Sequence, residues 1–368
     1  MSFSFFGADM NSAPDLPLIS VVIPNYNGAD YLERCLRSLA AQTYRNFEIV
    51  LVDNASQDES VRIAQSVAPG AIIILQQRNT GFAGGANAGI KASGGEWVAI
   101  LNNDTELSPE WLSECAAAIR RRPEAAFFAC RILEFAGRDR LFSAGDCFLR
   151  AGIGYRRGQQ QGDRKEFHVE CEVFSASGCA ALYRKTVLEE LAGFDERFFA
   201  YLEDVDLGLR LQSAGYTGFY IPRAEVYHHG GATSGGEFSR LSVRLRTRNA
   251  LLVLLKSVPV AVVLRCLPMI ILAQAVWLLR TVIHGRIGSY LRGLAGAFLL
   301  APAMVRARFE SRAHRRLSCR HLWQKILASE LQAKRDFSGA ETDSLFLRWY
   351  FMLFPGTLPQ KGEADSRP

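Results

Sequence analysis

Paired cysteine motifs, a signal-like start and acidic residues in one long C-terminal stretch are what this 368-residue chain lacks. Its eight cysteines (Cys35, Cys115, Cys130, Cys147, Cys171, Cys179, Cys266 and Cys319) form no C-x-x-C pair and no regular spacing. That excludes a disulfide framework or a structural zinc site and leaves reduced, mostly buried thiols. Residues 1–15 carry Phe3, Phe5 and Phe6 without a basic start or a long apolar stretch, so no signal peptide is read there and the chemistry is expected to stay in the cytoplasm. Between Arg240 and Arg316 the only acid is Glu310, while arginines recur throughout. Such a stretch calls for an anionic surface or for solvent; a membrane is the expected partner and nucleic acid is not.

What is present is a hydrophobic share of 49%, enough for a full core. From Leu18 onward, short β-rich runs alternate with amphipathic helical stretches, the pattern of an α/β fold with a mostly parallel central sheet flanked by helices. Strands are expected at Ile19–Ile23, Phe47–Val52, Ala71–Leu75 and Trp97–Leu101, with Asp30 capping the first helix. Polar residues gather just past three of these strands: Asn25 after Pro24, Asp53, and Asn102-Asn103-Asp104. In open α/β sheets ligands bind beyond the carboxyl ends of the strands, so the three loops together predict one site. After about Gly236 the apolar runs 251–255, 258–279 and 293–305 are broken by arginines and by Pro259, Pro268 and Pro302. Helices lying in a membrane interface fit that pattern better than a clean span.

Four segments carry candidate chemistry. In LNNDTELSPEWL a strand delivers Asp104 to its exposed end, where a carboxylate can hold Mg²⁺ or Mn²⁺ while substrate phosphates complete the shell. In FDERFFAYLEDVDLGLRLQSAGY, Glu203, Asp204 and Asp206 open a helix behind the aromatic run Phe198, Phe199, Tyr201. Helix-start acids are stabilised by the dipole alone, but the aromatic setting favours a carboxylate tuned to accept a proton. AEVYHHGG ends a strand in two histidines, of which only one can face a cleft from extended backbone; His228 is the choice as a second metal ligand. The glycine-rich run NTGFAGGAN (79–87) opens a helix, where backbone amides approach phosphate or sugar; it is neither G-x-G-x-x-G nor Walker A, so dinucleotide binding and ATP hydrolysis lose support.

Taken in order, these segments resemble family 2 glycosyltransferases of the GT-A fold, most closely the bacterial rhamnosyltransferase-like branch, from Ile19 through about Pro259. The resemblance implies that VVIPNYN and VDNASQD are nucleotide-binding loops, with Pro24, Asn25, Asn27, Asp53, Asn54 and Ser56 on base and ribose. It implies that Asn79, Gly81, Phe82, Gly85 and Asn87 lie near diphosphate and sugar, with Asn103 and Arg248 (or Arg244) also on the donor. LNNDT stands where the family often has D-x-D; Asn102 replaces the first acid and leaves Asp104 as metal ligand. LEDVDLGLR implies Asp204 as catalytic base with Glu203 beside it.

The expected organisation is a tail (1–17), a catalytic domain (18–236), a basic apolar helical membrane-associated region (237–354) and a polar tail (355–368). The expected activity is metal-dependent, inverting transfer of a sugar, rhamnose favoured, from a nucleotide-diphosphate donor to a lipid-linked saccharide acceptor in cell-surface polysaccharide synthesis, at the cytoplasmic face of a bacterial inner membrane. A nucleotidyltransferase would show a basic Gly-rich loop after the first strand, which PNYNG lacks. A non-catalytic nucleotide-sugar-binding membrane protein would not need the Glu203-Asp204 pair.

Overall fold

The computed structural model describes residues 16–162, 164–231, 235–338 and 344–356; most of both expected tails lies outside these. The chain runs β1 (Ile19–Asn25), α1 (Ala29–Ala40), β2 (Phe47–Asp53), α2 (Ser60–Val67), β3 (Ile72–Leu75), α3 (Gly81–Ala92), β4 (Trp97–Leu101), β5 (Thr105–Leu107) and α4 (Trp111–Arg121). It continues with β6 (Phe127–Glu134), β7 (Leu141–Ser143), β8 (Asp146–Leu149), β9 (Ile153–Arg156), β10 (Cys171–Val173), β11 (Ala180–Arg184), α5 (Lys185–Glu190), α6 (Glu203–Ser213) and β12 (Gly218–His228). Helices α7 (Arg240–Lys256), α8 (Val260–Ile283), α9 (Ile287–Ser311), α10 (Cys319–Ser338) and α11 (Leu345–Leu353) complete it.

Among the described residues the central sheet has the order β10-β12-β6-β11-β4-β1-β2-β3, with β5 on β12 and β7 on β6. The expected parallel character holds for β3-β2-β1-β4; β11 then runs antiparallel to both β4 and β6, so the sheet as a whole is mixed. β1 and β4 are apolar and buried on both faces, as central strands must be when helices cover both sides. Leu32, Cys35, Leu36 and Leu39 of α1 form one buried stripe under the sheet, as their 3.6-residue spacing requires. Asp30 does not cap that helix: Gly28 precedes it, and Asp30 sits in the first turn, where its charge still favours the dipole. All eight cysteines are free thiols.

The core does not break at the expected boundary after residue 236. Phe148, Phe174, Phe198, Val205 and Leu209 form one apolar cluster with Leu252, Val262, Ile270, Met304 and Ile326. The Arg150 guanidinium meets Glu330 of α10 at 2.6 Å, both buried. The outer faces of α8 and α9 are different. Both helices are long and apolar enough to cross a bilayer by length and composition, yet only 22% and 28% of their most apolar windows are buried. Phe298 and Leu299 are 86% and 83% exposed.

Candidate active site

The site is assembled at strand ends. The parallel register of β1 and β2 sets Asn25 beside Asp53, and Asn25 Nδ2 donates to Asp53 Oδ1 at 3.1 Å. Asn103 Nδ2, past the end of β4, donates to Asn25 Oδ1 at 2.6 Å. The other carboxylate oxygen of Asp53 accepts the Ser56 backbone N–H at 2.9 Å, and Asn54 Oδ1 accepts the Thr80 hydroxyl at 2.8 Å. This run of buried hydrogen bonds ties together the loops after β1, β2, β3 and β4, and a network satisfied in this way fixes geometry. Gly81 starts α3 at φ +76°; a Cβ there would fall 2.3 Å from the Phe199 carbonyl oxygen, so glycine alone permits that approach.

These loops form one wall of a cleft of about 910 Å³. Asp104, Glu203, Asp204 and His228 all open onto it. His228 Nε2 lies 3.1 Å from Asp104 Oδ1, and both side chains are buried. Burial penalises the Asp104 anion, but the contact with His228 and its charge prevail and hold the carboxyl below its ordinary range. His228 Nδ1 is buried without a partner. His229 also lines the cleft, stacked on Phe135 with ring centroids 3.7 Å apart.

Asp204 sits in the first turn of α6. Its Oδ2 accepts the Gly178 N–H at 3.0 Å and its Oδ1 the Val205 N–H at 2.8 Å. Burial raises its pKa, against the pull of those two donors and of the Arg156 charge. Burial and then the Asp204 charge push the Glu203 carboxyl well above its ordinary range, and its buried Oε2 has no partner. The turn before α6 is strained: Phe199, Tyr201 and Leu202 all have positive φ (65°, 69° and 66°), which costs on the order of 1–3 kcal/mol apiece for side chains of this kind. The Asn249 amide nitrogen offsets this by donating to the carbonyls of Phe198, Ala200 and Tyr201 at 3.0, 2.9 and 2.6 Å.

The glycosyl transferase family 2 profile matches residues 20–192. Those residues belong to glycosyl transferase family 2. Over 239 residues, 59% of this chain, the protein is 29% identical to the N-acetylglucosaminyl-diphospho-decaprenol L-rhamnosyltransferase of Mycobacterium tuberculosis and spans 78% of its length. It is 31% identical over 227 residues to the O-antigen biosynthesis protein RfbC of Myxococcus xanthus, of which it spans 18%. The fold is similar to that of GalNAc-T7 crystallised with UDP, GalNAc and Mn²⁺, at 18% identity and a TM-score of 0.53, over 66% of this chain and 48% of that one. The α/β architecture is therefore of the GT-A type.

Within and around the family 2 domain, Pro24, Asn25, Asn54, Asn79, Gly81, Phe82, Asn103, Asp104, Glu203, Asp204 and His228 are brought together on one cleft. The other expected site residues stand elsewhere. Asp53 and Ser56 lie behind the wall, bonded to Asn25. Asn27, at φ 48°, accepts the Gln57 N–H, and Gly85 packs on Asn54, where a Cβ would fall 2.6 Å from the amide nitrogen. Asn87 does not face the donor wall: it clasps Phe194 through backbone N–H and C=O at 2.9 and 2.8 Å. Arg248 does not reach the cleft either, because its guanidinium is spent on the carbonyls of Arg197 and Phe198, and Arg244 and Arg246 line the cleft instead. Asp206 points into the core, to Lys256 and Arg210. Sequence reasoning missed Asn249, although it adjoins Arg248 in a segment singled out for its charge. It also missed Asp146 and Arg156, which belong to no motif and reach the cleft only through the β8–β9 pairing.

Proposed function

We propose that the protein is an inverting glycosyltransferase that moves a sugar, rhamnose favoured, from a nucleotide-diphosphate donor to a lipid-linked saccharide acceptor at a membrane surface. One observation carries the reading: the Asp104–His228 pair and the Glu203–Asp204 pair, drawn from three separate segments of the sequence, open onto the same cleft as the loops of Asn25, Asn54 and Asn79. The donor's nucleoside lies against those loops, with its diphosphate toward Asp104. Asp204 accepts the proton of the acceptor hydroxyl as its oxygen bonds to the anomeric carbon. The bond to the diphosphate oxygen breaks with its electron pair on the departing nucleoside diphosphate, and the configuration inverts. Glu203 Oε2, which has no protein partner, meets a sugar hydroxyl.

The residues present fit a divalent cation, Mg²⁺ or Mn²⁺. Asp104 is held ionised with His228 Nε2 3.1 Å away, which lets the two share one ion, although no group of three or more His, Cys, Asp or Glu side chains able to hold a metal is found among the described residues. Asp104 and His228 would hold it with phosphate oxygens, and it would supply positive charge beside the leaving diphosphate.

The test is incubation of the purified protein with a panel of nucleotide sugars, with and without each ion. Release of nucleoside diphosphate from one donor class supports the reading. Donor stabilising the fold with no release from any donor, acceptor present, supports the non-catalytic alternative.

Two further results are expected. The Asp146 carboxyl is pushed up to about 7 by burial and then by the charge of Asp204, and the two titrate as a pair. Because the base must be ionised, kcat/KM rises with pH as Asp204 loses its proton. Asp146→Asn removes a like charge, eases ionisation of Asp204 and moves that limb to lower pH; a limb that stays in place or moves up rejects the coupling. The second concerns the membrane. Removing everything after residue 236 would tear out half of a shared core, so surface substitution is the cleaner probe. Burying a Phe or Leu side chain stabilises by about 1.5–3 kcal/mol, so Phe298→Glu with Leu299→Glu should lower co-sedimentation with anionic vesicles at least tenfold while leaving thermal stability unchanged. Unchanged sedimentation rejects α9 as the membrane-facing element.

A further inference from the structure

Three buried arginines of this fold are matched to acids. Arg150 meets Glu330, Arg157 meets Asp336 at 2.8 Å and Arg210 meets Asp206 at 2.9 Å. Arg156 points the other way from its neighbour Arg157, into the cleft. Its guanidinium lies 4.3 Å over the Phe142 ring, and among the described residues it makes no ion pair and no hydrogen bond. Asp146 and Asp204 act on its charge, but neither takes a hydrogen bond from it, so its donors are unspent and open to a ligand.

The surroundings say where that ligand sits. Arg156 ends β9 directly opposite Asp146 of β8. The hairpin lies flat against the start of α6, since a Cβ on Gly154 would fall 2.8 Å from a Val205 methyl. Phe142 belongs to β7, which pairs β6, and β6 is separated from β1 by β11 and β4. The Asn25 loop follows β1 and belongs to the first wall of the cleft. That first wall carries no Lys or Arg, whereas the second carries Arg156, Arg244 and Arg246, with Arg246 already tied to Glu237 at 3.1 Å. Arg244, like Arg156, has no ion pair among the described residues.

We propose that Arg156, assisted by Arg244, anchors a phosphate group of the acceptor on the Asp204 side of the cleft. The proposal rests on the glycosyltransferase reading for the word acceptor, but the anion site itself does not. The same phosphate chemistry exists on the donor, and the test separates the two sources.

Full-length protein in detergent is titrated calorimetrically with a ten-carbon prenyl diphosphate, the matching prenyl alcohol and UDP. The wild type is expected to bind the diphosphate at least tenfold more tightly than the alcohol. Arg156→Gln removes a charged hydrogen-bond donor and should weaken the prenyl diphosphate about 10- to 100-fold while leaving UDP within about twofold. Arg156→Lys should restore part of the loss and guards against misfolding of the first variant, and Arg244→Gln should weaken the same ligand independently. Unchanged prenyl diphosphate affinity in Arg156→Gln overturns the anchor. Equal weakening of UDP overturns the acceptor assignment in favour of the donor diphosphate. Selective loss of prenyl diphosphate supports the anchor whether or not any nucleotide sugar is turned over; absence of turnover with every donor counts against the proposed activity alone.

Discussion

Asp204→Asn is expected to lower sugar transfer by about 10²- to 10⁴-fold, the usual worth of a general base, with donor binding close to that of the wild type. The carboxylate is built for the task. Burial raises its pKa, and the Gly178 and Val205 N–H groups and the Arg156 charge oppose that rise. The net shift is upward, which makes the carboxylate a stronger proton acceptor than an ordinary one. An amide keeps the shape and one acceptor but cannot take a proton. The measurement is the initial rate of transfer alongside UDP-induced stabilisation of both proteins. Residual turnover above about a tenth of wild type removes Asp204 from the role.

Asp206→Ala is expected to destabilise the fold by about 3–5 kcal/mol, a large part of the 5–15 kcal/mol typical of a folded domain. Asp206 is fully buried and is approached by Lys256 Nζ at 2.8 Å, Arg210 Nε at 2.9 Å and the Ser257 hydroxyl. Asp195 also reaches Lys256, at 2.7 Å, so the cluster joins α6, α7 and the loop before α6. Removing its centre leaves two buried cations with too little negative charge. Urea unfolding measures the change, and a loss under 1 kcal/mol would reject the assignment. The pH dependence has a definite sign. Burial raises the Asp206 pKa, but Lys256 and Arg210 outweigh it and hold the carboxyl below its ordinary value. A group depressed in the folded state stabilises above its unfolded pKa of about 3.9, and that contribution is lost as pH falls through the folded value. The variant should therefore lose less stability between pH 5 and 2 than the wild type does.

Helical geometry explains why neighbouring acids in LEDVDLGLR differ. Residues two apart on an α-helix are turned by about 200°, so Asp204 facing the cleft sends Asp206 toward the core. The sequence shows three acids at a helix start; which of them faces the cleft depends on how α6 is rotated against β8–β9 and α7. Arg248 differs from Arg244 by translation along the helix rather than by rotation. It lies one turn beyond Arg244, and that step takes it from the cleft to the Phe198 carbonyl. Its charge was visible in the sequence, but the strained loop that claims it was not.

What the sequence determined by itself is the set of local devices: the strands, the polar residues at their ends, the glycine that opens α3, the helix-start carboxylates and the unbalanced basic segment. Each follows from short-range rules of backbone and side-chain chemistry. What only the tertiary structure decided is which of these meet. Sheet order sets β1 beside β4, hairpin register places Arg156 opposite Asp146, and packing of α7 on the 198–202 turn lets Asn249 hold a conformation its own residues disfavour. Such contacts join residues far apart in the chain, and no local preference encodes them.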